Sequence, residues 1–244
     1  MATFIIADLH LSLKRQDLFL ALSNFYKRLN SNDRLFILGD FFDFFVGIDR
    51  RDPLYLKIQE LILLYKERGI STFFQCGNRD FLINAQAANF FNFSLLPDLY
   101  IEDTKEGKAL FLHGDALCVN DPAFQRFRKF SKNKVIRSLF MALPFWVRKK
   151  IGSHIREKSR NLEPIRTVAA HEQKLIHKEA QRLLTEHHCQ ILIHGHFHIF
   201  ADIQKAFGPQ SRRLGLGSWD KNYSYIKIDE HGLTMRERPL SELL

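Results

Sequence analysis

Thiols are scarce in this chain, and their spacing excludes two organising devices. Cys76, Cys118 and Cys189 make an odd count with no CxxC pair, so neither a disulfide framework nor a cysteine zinc site is expected. Each lies in or beside an apolar segment, which predicts three buried free thiols in a reducing compartment. No run approaches the ~18 consecutive apolar residues of a membrane-spanning helix. The N-terminus lacks a basic region followed by a hydrophobic stretch and a small-residue cleavage site, so no secretory leader is expected. Internal repeats, low-complexity tracts and Gly/Ser-rich linkers are absent as well. The expectation is a single domain over 1–244, cytoplasmic, with attachment to a membrane surface left open.

What is present supports a packed core. Hydrophobic residues make up 45% and charged residues 26% of the 244, and phenylalanine alone accounts for 23. The formal charge of +9 points to an anionic partner such as a nucleotide, nucleic acid or acidic lipid, or else to a basic surface without one.

Apolar residues at Leu18, Leu22, Phe25 and Leu29 predict a helix over Gln16–Asn30. Asp52-Pro53 is a helix start, followed by Leu54, Ile58, Leu61, Ile62 and Tyr65 at helical spacing, with Gly69 as the stop. A further helix is predicted over Glu172–Glu186. Short apolar runs at Phe4–Ala7, Leu35–Leu38, Thr72–Gln75, Ala109–Leu112 and Ile191–Ile193 read as strands in an alternating α/β pattern. The stretch "SYIKIDEHGLTMRE" reads as a hairpin turning at Glu230-His231-Gly232.

All five predicted strands end alike: in Asp8-Leu9-His10, Gly39-Asp40-Phe41-Phe42-Asp43, Gly77-Asn78-Arg79-Asp80, His113-Gly114-Asp115 and His194-Gly195-His196-Phe197-His198. Loops at the carboxyl ends of strands in open α/β sheets gather in one crevice, so these endings bring Asp, His and Asn together. Carboxylate, imidazole and amide oxygen without thiolate suit Mn²⁺, Fe²⁺ or Zn²⁺. Asp8, His10, Asp40, Asn78, His113, His196 and His198 make seven candidate ligands, too many for one ion with an open position. If Asp40 bridges, two ions receive four ligands each, and such a pair clamps phosphorus for in-line attack by water. His194 is read as structural or supporting. Asp43, Asp80 and Asp115 either orient ligands or are solvated turn residues.

The series DLH, GDFFD, GNRD, HGD and GHFH resembles the calcineurin-like metallophosphoesterases. That resemblance spans about residues 8–198. It implies an α/β four-layer αββα sandwich, with Asp8, His10, Asp40 and His198 on one ion and Asp40, Asn78, His113 and His196 on the other. One departure is informative: most of that superfamily has His where this chain has Arg79. Arginine stays charged and cannot donate a proton, but it clamps phosphate oxygens. Its presence favours a leaving group that needs no proton, and a phosphate, with a second pKa of about 6, qualifies.

Within the superfamily, "FIIADLHLS", "LFILGDFFDFFVG", "GNRDFL", "HGDALCVND", "FQRFR", "SLFMALPFWVRKKI", "ILIHGHFH" and "LGLGSWDKNYSYIKI" are similar to the UDP-2,3-diacylglucosamine hydrolases. That family uses Mn²⁺ to cleave a pyrophosphate, giving UMP and the acylated sugar phosphate lipid X. The resemblance assigns Arg79, Asp40 and His113 to catalysis. It assigns Asn78, Arg79, Asp121, Ser159, Arg166 and His196 to the substrate, a UDP-linked acylated glucosamine lipid. The match weakens after Ser159, where Glu163 and Arg166 stand in place of the family's Asn and Lys. From Arg126 to Arg160 there are twelve Lys or Arg and one acid, Glu157, interleaved with apolar residues including Leu139, Phe140, Trp146 and Ile151. By resemblance, 124–170 is a helical lid over the acyl chains near an anionic membrane surface. The alternative is an insertion that packs its apolar face on the core and solvates its charges. Other readings left open are a soluble nucleotide pyrophosphate or phosphodiester substrate, and a scaffold of the same fold without turnover. Neither a nucleic acid nor a protein partner is expected.

Overall fold

The computed structural model describes residues 1–162 and 170–244, with side chains outside 158–173. Among the described residues, eleven strands form two sheets. The first contains β1 (Thr3–Ile6), β2 (Arg34–Leu38), β3 (Ser71–Gln75), β4 (Ser94–Leu95), β10 (Asn222–Asp229) and β11 (Gly232–Pro239), in the order β11-β10-β1-β2-β3-β4. The second contains β5 (Tyr100–Thr104), β6 (Gly107–Leu112), β7 (Ile191–His194), β8 (Ala201–Gln204) and β9 (Arg212–Gly215), in the order β5-β6-β7-β9-β8. β1, β2 and β3 are mutually parallel, as are β6, β7 and β9.

Alternation along the strands divides the interior into three layers of packing. Ile5, Phe36, Leu38, Ala109, Phe111, Ile191 and Ile193 meet between the sheets. Their neighbours Ile6, Leu35 and Ile37 face the other way, onto the helices α1 (Gln16–Tyr26), α2 (Pro53–Glu67) and α3 (Ala85–Phe91). Leu110, Leu112 and Leu192 point outward on the second sheet, against Ile176, Ala180, Leu183 and Leu184 of α7 (Ala170–Glu186). Helices thus cover both outer faces, giving four layers, αββα. This explains the continuous apolar runs: strands buried on both faces leave no polar side.

The helix boundaries follow local chemistry. Asp52 caps α2 by accepting from the Leu54 and Tyr55 amides, and Gly69, at φ +85°, ends it. The helix expected over Gln16–Asn30 stops at Tyr26, because Arg28 and Leu29 turn back in i→i−3 bonds before Asn32 at φ +70°. Leu29 is buried against α1's core all the same. The strand expected to include Ala7 ends at Ile6, where Asp8 takes φ +56°. Of the three thiols only Cys189 is fully buried; Cys76 and Cys118 are half-buried.

Between β6 and α7 the basic segment folds as α4 (Pro122–Lys132), α5 (Lys134–Ala142) and α6 (Phe145–Leu162). Among the described residues, no helix is long and apolar enough to cross a membrane. Glu163 and Arg166 lie outside the described residues, as does the side chain of Ser159.

Candidate metal centre

Because β1, β2 and β3 run parallel in one sheet and β6 and β7 in the other, their carboxyl ends meet at one edge of the sandwich. The loops there are laced together by backbone bonds. The Asp8 amide donates to Gly39 O, the His10 amide to Asp40 O, and the Gly195 amide to His113 O. Asp8, His10, Asp40, His196 and His198 all adopt positive φ, between 50° and 70°. A left-handed conformation is uncommon for residues other than glycine, and five at one edge mark a backbone bent to aim side chains inward.

Those side chains form two clusters, Asp8–His10–His198 and Asp40–His113–His196, in each of which one donor atom per residue lies within 4.8 Å of the others. Asn78 joins the second, with its Oδ1 3.0 Å from His113 Nε2. All seven candidates therefore converge.

The residues fit divalent cations on three counts. First, His113 Nδ1 donates to Leu38 O at 2.8 Å, which turns Nε2 toward Asn78 Oδ1 and, at 3.5 Å, Asp40 Oδ1. A nitrogen and two oxygens facing one another require positive charge among them. Second, Asp8 Oδ1 is buried without a hydrogen bond, while Asp8 Oδ2 is occupied by the His196 amide at 2.8 Å. Third, glycine makes room for the carboxylates: a Cβ on Gly77 would meet Asp40 Oδ1 at 2.3 Å, and one on Gly195 would meet Asp8 Oδ2 at 2.4 Å.

Electrostatics prepare two of the four imidazoles; at the other two burial acts downward, but Asp40 and Asp8 at His113, and Asp8 at His198, outweigh it and push both up. Burial, assisted by His113, pushes His196 down to about 3. Burial and the Arg79 guanidinium hold His10 well below its ordinary value. Both are thus in the neutral form that ligates metals. Burial pushes Asp8 up, but His198, 3.6 Å away, and the neighbouring imidazoles outweigh it and keep the carboxyl ionised.

Supporting residues complete the centre. Arg79 is buried, with its Nε 3.3 Å from Asp40 Oδ2, and its amide donates to Asp40 Oδ1 at 2.9 Å. Asp80 accepts from the Phe41 and Gly77 amides, both at 2.7 Å, stitching the β2 loop to the β3 loop. His194 points into the second sheet's outer layer, bonded to Gly195 O and Arg213 Nε, which is the supporting role read from sequence. Asp43 and Asp115 are not solvated turn residues: Asp43 pairs with Arg156 and Asp115 with Arg128. Asp121 caps α4 through the Phe124 amide.

Sequence reasoning missed Phe124, whose ring lies 5.4 Å from that of His196, and Trp219, whose amide donates to Asp8 O. Neither carries a local signal. Phe124 is one of 23 phenylalanines, and Trp219 comes from a distant loop.

The chain belongs to the calcineurin-like phosphoesterase family, whose model matches residues 1–200. It is a hydrolase of the metallophosphoesterase class, and a divalent-metal site goes with that class. Within the family it is homologous to UDP-2,3-diacylglucosamine hydrolases. The one from Tolumonas auensis is 34% identical, over 99% of this chain and 98% of that protein. Those of Histophilus somni strain 2336 and Haemophilus influenzae Rd are each 36% identical over 94% of this chain, covering 97% and 96% of their own length.

Proposed function

We propose that the protein hydrolyses the pyrophosphate of UDP-2,3-diacylglucosamine to UMP and 2,3-diacylglucosamine 1-phosphate, lipid X, on the cytoplasmic face of a membrane. The observation that carries this reading is the meeting of seven metal-binding side chains and a buried arginine at one edge of the sandwich. In a hydrolase whose full-length relatives bear that substrate's name, this is the chemistry a pyrophosphate requires.

Asp8, His10, Asp40 and His198 would hold one cation, and Asp40, Asn78, His113 and His196 the other, with Mn²⁺ the metal assigned by resemblance. When bound, such a pair lowers the pKa of water and offsets negative charge on phosphate oxygens. The Leu38 carbonyl fixes the His113 tautomer and keeps Nε2 turned to the site. Arg79, held by the Asp40 carboxylate, is placed to bind non-bridging phosphate oxygens while permanently charged. It cannot protonate a leaving group, and the departing sugar phosphate, with a second pKa of about 6, does not need it to.

The insertion supplies the lipid-facing lid over about 124–170. Phe130, Val135, Leu139 and Trp146 are exposed by 58%, 67%, 67% and 70%, amid Lys129, Lys132, Lys134, Arg137, Lys149 and Lys150. Apolar side chains at the surface beside a cationic field suit an anionic bilayer. Asp121, Ser159 and Arg166 are carried over by resemblance as contacts to the headgroup.

Phosphorus NMR of Mn²⁺-loaded protein with UDP-2,3-diacylglucosamine in detergent tests the reading. UMP and lipid X are expected from wild type and not from Asp40→Ala. No turnover by a folded protein carrying two metal ions would overturn the lipid assignment and direct the search to soluble nucleotide pyrophosphates.

A further inference from the structure

The insertion is fastened to the hydrolytic edge by ion pairs at both of its ends. At its start, Arg128 Nε of α4 lies 2.6 Å from Asp115 Oδ2, and Lys132 Nζ lies 3.6 Å from the same oxygen. Asp115 is buried and stands two residues after His113. Toward its end, Arg156 of α6 meets Asp43 Oδ1 through Nε at 2.8 Å and Nη2 at 2.6 Å. Asp43 stands three residues after Asp40. One anchor thus reaches the loop after β6 and the other the loop after β2, one in each sheet.

The segment from Asp43 to Gly47 is a junction. The Asp43 amide donates to Leu11 O, next to His10, and the Phe45 amide to Arg79 O, next to Asn78. The Asp43 carboxylate therefore belongs to a stretch tied by backbone to the loops bearing His10, Asp40, Asn78 and Arg79. α6 also packs tightly on this stretch. Arg148 Nη1 donates to Val46 O at 2.5 Å, and a Cβ on Gly152 would meet Phe44 Cε1 and Val46 Cγ1, both at 2.6 Å. A helix whose only task was to cover acyl chains would not need an ion pair with two guanidinium nitrogens on one carboxylate oxygen of a loop that holds the candidate metal ligands. Arg–carboxylate pairs of this kind add geometric specificity as well as attraction.

We infer that Arg156 is a positioning residue. Through Asp43 it holds the loops after β1, β2 and β3 in their inward-aimed geometry, with Arg128–Asp115 the equivalent fastening for the loop after β6. The insertion is in this respect part of the hydrolytic centre as well as a cover for it. The inference rests on the proposed function for its substrate alone.

Amide hydrogen exchange and kinetics on Arg156→Met, Asp43→Asn and Arg156→Lys test it. In Arg156→Met and Asp43→Asn the amides of Asp43 and Phe45 should exchange about tenfold faster, with those of β6 unchanged within about twofold. With the acylated substrate, kcat should fall about tenfold and KM change less than about threefold, because the reacting geometry is disturbed and the acyl contacts are not. Arg156→Lys, which restores a charge without the fork, should recover part of both. Wild-type protection of Asp43 and Phe45 in Arg156→Met would overturn the inference, as would a loss confined to KM. Equal acceleration in β6, the mark of global destabilisation, would overturn it too. If wild type does not turn over this lipid, the proposed function fails, while the exchange comparison still decides the role of Arg156.

Discussion

Replacing Gly77 with alanine puts a methyl group against the Asp40 carboxylate of the Asp40–His113–His196 cluster. The new Cβ would lie 2.3 Å from Asp40 Oδ1, 2.4 Å from Asp40 N and 3.0 Å from Asp40 Cγ. Ordinary contact begins at 3.4 Å, so Oδ1 must retreat by about 1.1 Å (3.4 − 2.3). Gly77 is not in the left-handed region, so alanine's backbone is unstrained and the effect is one of contact alone. The retreat cannot be absorbed cheaply. Oδ1 accepts from the Arg79 amide at 2.9 Å, and Asp40 itself sits at φ +50° in a buried turn. Overpacking of this kind costs about 1–3 kcal/mol, and a reacting group displaced by 1 Å costs about 10²-fold in rate. Urea unfolding should therefore show a folded protein weakened by about that amount, and turnover should fall about 10²-fold with weaker Mn²⁺ binding. A folded Gly77→Ala protein with kcat within about threefold of wild type would refute the close-approach account.

Three further outcomes are expected. Burial and the adjacent Arg213 push His194 down to about 3, against an ordinary 6.5. As pH falls below 6.5 the unfolded chain takes up this proton and the folded chain does not, so stability is lost down to about pH 3 at up to ~1.4 kcal/mol per pH unit. Urea melts of metal-free protein at pH 7 and pH 5 should show the loss, and His194→Phe should show less of it. Mn²⁺ at a hundred times its Kd should raise unfolding stability by about 2.7 kcal/mol, with the gain reduced in Asp8→Asn and read by thermal melting. Leu139→Glu combined with Trp146→Glu should reduce sedimentation with anionic vesicles about tenfold and leave Tm unchanged, since both side chains are exposed; binding equal to wild type would remove α5 and α6 from the membrane contact.

Much of the site was legible because its signals are local. A strand that ends in Asp-Leu-His or Gly-Asn-Arg-Asp declares its chemistry within a few residues, and the parallel β1, β2, β3, β6 and β7 then bring those endings to one edge. Of the edge strands, β11 was legible as one arm of the hairpin at Glu230-His231-Gly232, but β4 and β8 were not. β4 has two residues, both exposed, and β8 is exposed along most of its length, so neither has the apolar run by which the interior strands announce themselves. α3 carries its own punctuation, Asn84 capping the Ala87 amide and Asn92 ending it at φ +60°, but it is too short for a periodic stripe to stand out.

Already readable along the chain were the candidate ligand types, the strands that present them, an arginine at position 79 in place of a proton donor, and a cationic, apolar insertion between β6 and α7. Each of these depends on residue identity or on a period of a few residues, which the chain carries before it folds. Folding was needed to show which layer each alternate side chain of a strand serves, and that Gly77 stands against Asp40. Packing also decided that, of the twelve basic residues from Arg126 to Arg160, Arg128 and Lys132 reach back to Asp115 and Arg156 to Asp43. The two arginine pairings join residues 13 and 113 positions apart, and nothing in a basic run distinguishes one arginine from the next until the packing of α4 and α6 brings a carboxylate within reach.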